Sequence, residues 1–367
     1  MTAQLAGAVR DARSRAAAVA ASGRPVIGIV GRDVPALLVA AAGALAFRLA
    51  PEPAATEETD AIMGRAVDRA ASLVLAAVLA GSLDFLSGLL ISRDTEASVR
   101  LFYTLQELRR RGRIAMPVQL VDQVHQDRES TVQFNIAQLE HMWTTVEQWT
   151  LRPITADSLH GAHAELTAVR TELERARAHR RAARFGGTSA LHGYRAAATL
   201  PAAEAIDLLR AAMAEATDAA APGDFPVFLT GSAPLGDEVY RAIEGAGATV
   251  VGEDHDWGDP ILSDRLPSRV DRDRSALLRE LVLSRLRGAP ASASATMAAR
   301  AEASREGIRV AGARGLLSIV RPHDEAPAWD WRLQSERAGV PGLMLRGDAA
   351  EDPERIAAAV ESLRVAS

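Results

Sequence analysis

The chain has 367 residues, of which 48% are apolar, 24% charged and 4% aromatic, with a formal net charge of −5. That length and apolar content describe a folded protein of about two domains and exclude a disordered one. The acidic balance and the few aromatics argue against a nucleic-acid partner. The absence of cysteine excludes disulfides, thiolate metal sites and cysteine-held iron–sulfur clusters within this chain.

Residues 4–21 have alanine-rich helical spacing, with charges where a signal peptide needs an apolar run, so a cytoplasmic protein is expected. "RPVIGIVG" (24–31) reads as a short buried strand ending in glycine. Residues 34–45 read as the following helix, with Pro35 in its first turn. The apolar run 73–83 is too short to span a membrane and is followed by Asp84. Residues 86–92 and 115–121 are apolar runs of strand length, and 95–111 has helical spacing with a basic last turn. Such alternation predicts a parallel sheet with helices on both faces.

From 128 to 219 long charged helices dominate, broken near 152–153 and 184–189, with Thr155 as an N-cap. The basic run 170–184 contains Glu172 and Glu174 at helical period, which predicts a solvated helix face. After "APGD" (221–224) the alternation returns. Strands are expected at 226–230, 248–251, 315–320 and 340–345, and helices at 237–245, 272–287, 298–306, 326–338 and 353–363. The stretch 288–295 reads as a mobile loop. The expected organisation is a first α/β domain with a leading helix (1–127), a helical middle (128–222) and a second α/β domain (223–367).

The densest chemistry lies in "GATVVGEDHDWGDP" (247–260), where Glu253, Asp254, His255 and Asp256 follow an apolar strand. Open α/β sheets place their sites at the carboxyl ends of strands. "TGSAPLGDE" (230–238) offers Thr230, Gly231 and Ser232 as an anion-binding turn, or simply as a tight strand-to-helix connection. No dinucleotide fingerprint, phosphate loop or nucleophile elbow follows any strand. His125, His141, His160, His163, His179 and His192 read as structural, and Trp143 and Trp149 as helix-packing residues.

The order of segments carries a resemblance. "VIGIVGRDVPALLVAAAGALAFRL" (26–49), "WTLRPITADSLHGAHAELTAVR" (149–170), "FLTGSAPLGDEVYRAIEGAGATVVGED" (228–254) and "RGLLSIVRPHDEAPAWDWRLQSERAGVPGLMLRGD" (314–348) resemble, in that order, the 2-hydroxyacyl-CoA dehydratase and benzoyl-CoA reductase family. Ala36 stands where that family usually has a glutamate. The resemblance implies two flavodoxin-like, doubly wound domains facing across a cleft. It also implies cysteines at strand ends holding a [4Fe–4S] cluster, an ATP-dependent activator supplying one electron, and dehydration of a 2-hydroxyacyl-CoA through a ketyl radical.

At the cysteine positions this chain has Thr95, Asp256 and His323, with the fourth falling near 68–72. The candidate cleft residues are therefore Thr95, His255, Asp256, His323 and Asp324, and a [4Fe–4S] cluster is expected only in a cysteine-bearing partner. His255 or Asp256 with His323 and Asp324 has donors that suit zinc, iron(II) or manganese. Their spacing is looser than H-E-x-x-H, so a polar remnant without metal is the expectation. The resulting expectation is a cluster-free subunit of a dehydratase (lyase) complex that acts on an acyl-CoA thioester. It would pair with a cysteine-bearing paralogue or with itself, without nucleic acid or membrane. The rival readings are an independent enzyme using acid–base or metal chemistry, and a non-catalytic binding or scaffold protein.

Overall fold

The computed structural model describes residues 2–54, 57–216, 223–263, 265–270, 273–291 and 294–367. Two four-stranded parallel sheets organise it. The first contains β1 (Val26–Val30), β2 (Leu45–Arg48), β3 (Gly88–Ser92) and β4 (Val118–Val121), in the order β2-β1-β3-β4. The second contains β5 (Phe225–Gly231), β6 (Ala248–Glu253), β7 (Gly315–Val320) and β8 (Gly342–Arg346), in the order β6-β5-β7-β8. Strands β3, β6 and β7 are buried along their whole length, as sheets covered on both faces require. The shared order is flavodoxin-like. In each sheet the chain starts centrally, winds to one side and then crosses over. The loops after β1 and β3, and after β5 and β7, therefore diverge and leave a crevice.

Two helices precede the first sheet, α1 (Thr2–Arg10) and α2 (Ala12–Ala21). The single helix expected over 4–21 is parted at Asp11, because α1 packs on the helical middle while α2 packs on the sheet. Between strands run α3 (Ala36–Ala41), α4 (Glu57–Met63), α5 (Arg69–Leu79) and α6 (Glu96–Arg110). The helix expected over 34–45 is shorter: Gly43 takes φ +76° and the chain turns straight into β2, whose residues alternate between buried and half-buried.

The middle holds α7 (Glu129–Thr150), α8 (Ala156–Arg181), α9 (Gly187–Thr199) and α10 (Ala202–Ala216). Thr155 caps α8, its hydroxyl accepting from the Ser158 amide. Then come α11 (Glu238–Gly245), α12 (Arg274–Leu286), α13 (Met297–Ala311), α14 (Ala326–Arg337) and α15 (Pro353–Ala366). Parts of the expected linker (221–222) and of the expected mobile loop (292–293), and the first residue of the helix expected from 272, lie outside the described residues.

Helix α12 follows β6 in sequence yet packs on α7, adding Leu277, Leu278 and Val282 to the core around Ile27 and Val132 of the first domain. All three are fully buried. At roughly 1.5–3 kcal/mol for each such side chain, this helix alone ties the second half firmly to the first. Among the described residues no helix is long and apolar enough to cross a membrane, and the run at 73–83 falls largely in α5.

Candidate functional site in the interdomain cleft

The switch points of the two sheets face one another across a cavity of about 170 Å³. Its wall comes from the ends of six strands and the loops after them, including Arg32 and Asp33, Leu49 and Pro51, Asp94 and Thr95, Gly231, the 254–257 stretch, and Arg321 with Asp324. The two central strands reach it through equivalent turns, Gly31 at φ +90° and Gly231 at φ +106°. A side chain on Gly31 would collide with the Ser92 hydroxyl and the Asp94 carboxylate, and one on Gly231 with the Ile319 carbonyl. Glycine is thus required twice, by conformation and by space.

On the first-domain side two carboxyls receive opposite treatment. Asp33 is buried, accepts from His125 Nε2 at 2.6 Å and pairs with Arg285 Nε. Burial would raise its carboxyl, but the His125 hydrogen bond and the Arg285 charge outweigh it and hold Asp33 at about 2. Asp94 accepts from the Ser92 hydroxyl at 2.6 Å and from the Arg32 amide at 2.8 Å. Burial, aided by the charges of Asp33 and Asp256, pushes Asp94 up to about 7 against those two bonds.

Further arginines reach across the cleft. Arg32 donates from Nη2 to the Pro260 carbonyl at 2.8 Å and to the Ser263 hydroxyl at 3.1 Å, with Asp256 3.9 Å from Nη1. Arg48, at the end of β2, donates to the Asp256 carbonyl at 2.8 Å and lies 4.2 Å above the Trp257 ring. Arg321, after β7, grips both oxygens of Asp68, the N-cap of α5, at 2.8 and 3.4 Å.

The stretch after β6 is an ion-pair junction. Glu253 is buried and accepts from Arg180 Nη1 at 2.5 Å, while Arg180 Nη2 reaches Asp259 at 2.8 Å. Burial works against the Arg180 charge, but Asp259 and Glu253 overcome it and hold the guanidinium well above its usual range. Asp254 pairs with buried Arg300 of α13 at 3.3 Å and accepts from Ser304 at 2.5 Å. His255 is buried too: the Trp257 amide donates to Nδ1 at 3.3 Å, which places the proton on Nε2, 2.7 Å from the Tyr240 oxygen. Burial pushes this ring down to about 3, so it is neutral. Asp254 and Asp256 are both half-buried and line the cleft, and of the two Asp256 has its carboxylate near Arg32.

Of the residues picked from the sequence, Thr95, His255, Asp256 and Asp324 line this cavity. His323 does not; it is exposed at φ +63°, on a turn that directs it to solvent. Thr230 and Ser232 are engaged within the fold, Thr230 accepting from Gln334 at 3.1 Å while the Ser232 amide donates to the Ile319 carbonyl at 2.7 Å. The basic run 170–184 is not wholly a solvated face, since Glu172, Ala176 and Arg180 share one buried side of α8. Asp33, Asp94, Arg32, Arg48 and Arg321 were missed, although each directly follows or ends a strand. His125 and Arg285, meeting at Asp33, have no local signal.

The side chains present do not fit an iron–sulfur cluster. Thr95 caps α6 by accepting from the Ser98 amide at 3.1 Å, and Asp68 is held by Arg321 and its own helix. Neither is a thiolate, the donor such clusters need. Among the described residues no group of three or more His, Asp or Glu side chains is arranged to hold a metal ion.

No curated protein matches the chain. The family model described as 2-hydroxyglutaryl-CoA dehydratase, D-component, matches residues 33–364, a span that takes in the second sheet, the helical middle and the first sheet from β2 onward. The chain therefore belongs to this dehydratase family, as a dehydratase-type subunit, with a cleft that carries no cysteine.

Proposed function

We propose that this protein is a cluster-free component of a 2-hydroxyacyl-CoA dehydratase-type complex, whose interdomain cleft holds an acyl-CoA thioester beside a cysteine-bearing partner. The carrying observation is that the family's two facing switch points are kept while its strand-end positions hold capping and ion-paired side chains. The fold and cleft are thus maintained without the electron-carrying group, which a cysteine-bearing paralogue served by an ATP-dependent activator would supply. In this role the chain orients the thioester and excludes water. Co-expression with such a paralogue under anaerobic conditions tests the reading. A one-to-one complex that dehydrates a 2-hydroxyacyl-CoA, with neither chain active alone, is the expected result. Failure to associate, together with a fully active paralogue homodimer, would overturn it.

One observation favours a second reading, an independent acid–base enzyme: Asp94, held near neutrality at the cavity wall. Solvent deuterium entering an acyl-CoA in the presence of the isolated chain, and not with Asp94→Asn, would establish it. No exchange would remove it.

A further inference from the structure

A second cavity, of about 280 Å³, opens between α3, α8, α9 and α12. It shares Gly31, Arg32, Asp33, Arg48 and Arg285 with the interdomain cleft, so the two spaces adjoin. Its inner wall is aliphatic, built from Leu37, Val169, Leu173, Ile261, Leu262 and Leu281. Several of the arginines that border it are directed at protein partners. Arg24 donates to the Gly43 and Ala44 carbonyls, Arg170 to Glu174 and the Leu262 carbonyl, and Arg285 to Asp33. Arg265 and Glu165, which also border it, are exposed to solvent. A guest entering from the cleft therefore meets hydrocarbon.

We propose that this cavity receives the acyl group of the thioester, and that the acyl group is an apolar chain or ring rather than a dicarboxylic one. The inference rests on the reading that the cleft binds an acyl-CoA, and it names the substrate class. An apolar cavity of about 150 Å³ holds a benzene ring, so this one accommodates roughly ten carbon atoms. A terminal carboxylate, as in a glutaryl group, would lose its hydration against that aliphatic inner wall, where Arg24, Arg170 and Arg285 are already bonded to carbonyls and carboxylates.

The test is calorimetric titration of the full-length chain with butyryl-CoA, octanoyl-CoA, glutaryl-CoA and free octanoate, repeated on Ala40→Phe and Ala197→Phe. These substitutions fill the cavity from two different helices. Each buried methylene adds about fourfold in affinity, so octanoyl-CoA should bind more than about tenfold tighter than the butyryl and glutaryl thioesters. Either filled variant should lose that preference. Equal affinities for all three thioesters overturn the inference and leave the thioester reading intact. Binding of octanoate but of no thioester, abolished by filling, overturns the thioester reading and keeps the apolar site. No binding of any probe removes both. The chain-length dependence of the unmodified protein decides the matter if either variant folds poorly.

Discussion

At the end of β6, arginines from two distant helices reach in to meet the carboxylates: Arg180 takes Glu253 and Asp259, and Arg300 takes Asp254. At the end of β3, Asp94 is met by a hydroxyl and a backbone amide. The two strand ends hold different places in their sheets, β6 at an edge and β3 inside, yet look alike in sequence, a strand followed by acid. Their physics differs. A buried carboxylate matched by a guanidinium is held in one position and joins the helical middle to the second sheet, even though burial, against the Arg180 charge, pushes Glu253 up to about 7. A carboxyl met by neutral donors keeps a proton near neutrality and remains available to a guest. The acid-rich stretch 253–256 is thus mainly architecture, while the chemistry open to the cleft lies at Asp94.

Breaking the locked side should have the largest effect. Arg180→Met leaves buried Glu253 and half-buried Asp259 without their cation and should cost about 3–5 kcal/mol, read from urea unfolding; a cost below about 1 kcal/mol would mean that this junction is not structural. The open side should respond with the opposite sign. An aspartate at 3.8 in the unfolded chain and about 7 in the fold is penalised for ionising. Asp94→Asn should therefore gain nothing below about pH 4, gain stability as pH rises towards 7, and level off at no more than about 4 kcal/mol. A gain independent of pH would contradict that environment.

Asp33, which lines the same cleft, sharpens the contrast. Its carboxyl falls from 3.8 to about 2 on folding, so its contribution is full above the unfolded value and disappears as pH falls through the folded one. Asp33→Asn should cost about 2 kcal/mol at neutral pH and progressively less in acid, as thermal melts across pH would record. The smallest effect belongs to Thr95. Thr95→Ala removes an N-cap worth about 1 kcal/mol and should leave thioester affinity unchanged; a large loss of affinity would make Thr95 a ligand contact rather than a cap.

Much of this architecture was legible, because parallel strands covered on both faces appear as uninterrupted apolar runs, as at 315–320. The element β2 was not, since four residues that alternate in exposure inside an alanine-rich stretch carry little signal of their own. Missing it hid Arg48. The site was legible by location more than by residue. Reading polar residues directly after strands found 253–256, and the same rule applied to "GRD" and "SRD" would have found Asp33 and Asp94. Arg180 resisted for a physical reason. Helical period places it with Leu173 and Ala176 on one face, but a charge on such a face makes sense only once the strand-end carboxylates it meets are known. His125 and Arg285 reach Asp33 from far along the chain, and only the fold brings them there.

The central claim is that this family member keeps the cleft without its own cluster. The most direct measurement is iron and acid-labile sulfide in the isolated chain, purified without oxygen and then reconstituted with excess iron and sulfide. The account expects neither to remain after desalting, because every strand-end position offers a hydroxyl, a carboxylate or an imidazole instead of a thiolate. Stoichiometric iron and sulfide retained by the chain alone, with the visible absorption of an iron–sulfur cluster, would contradict it.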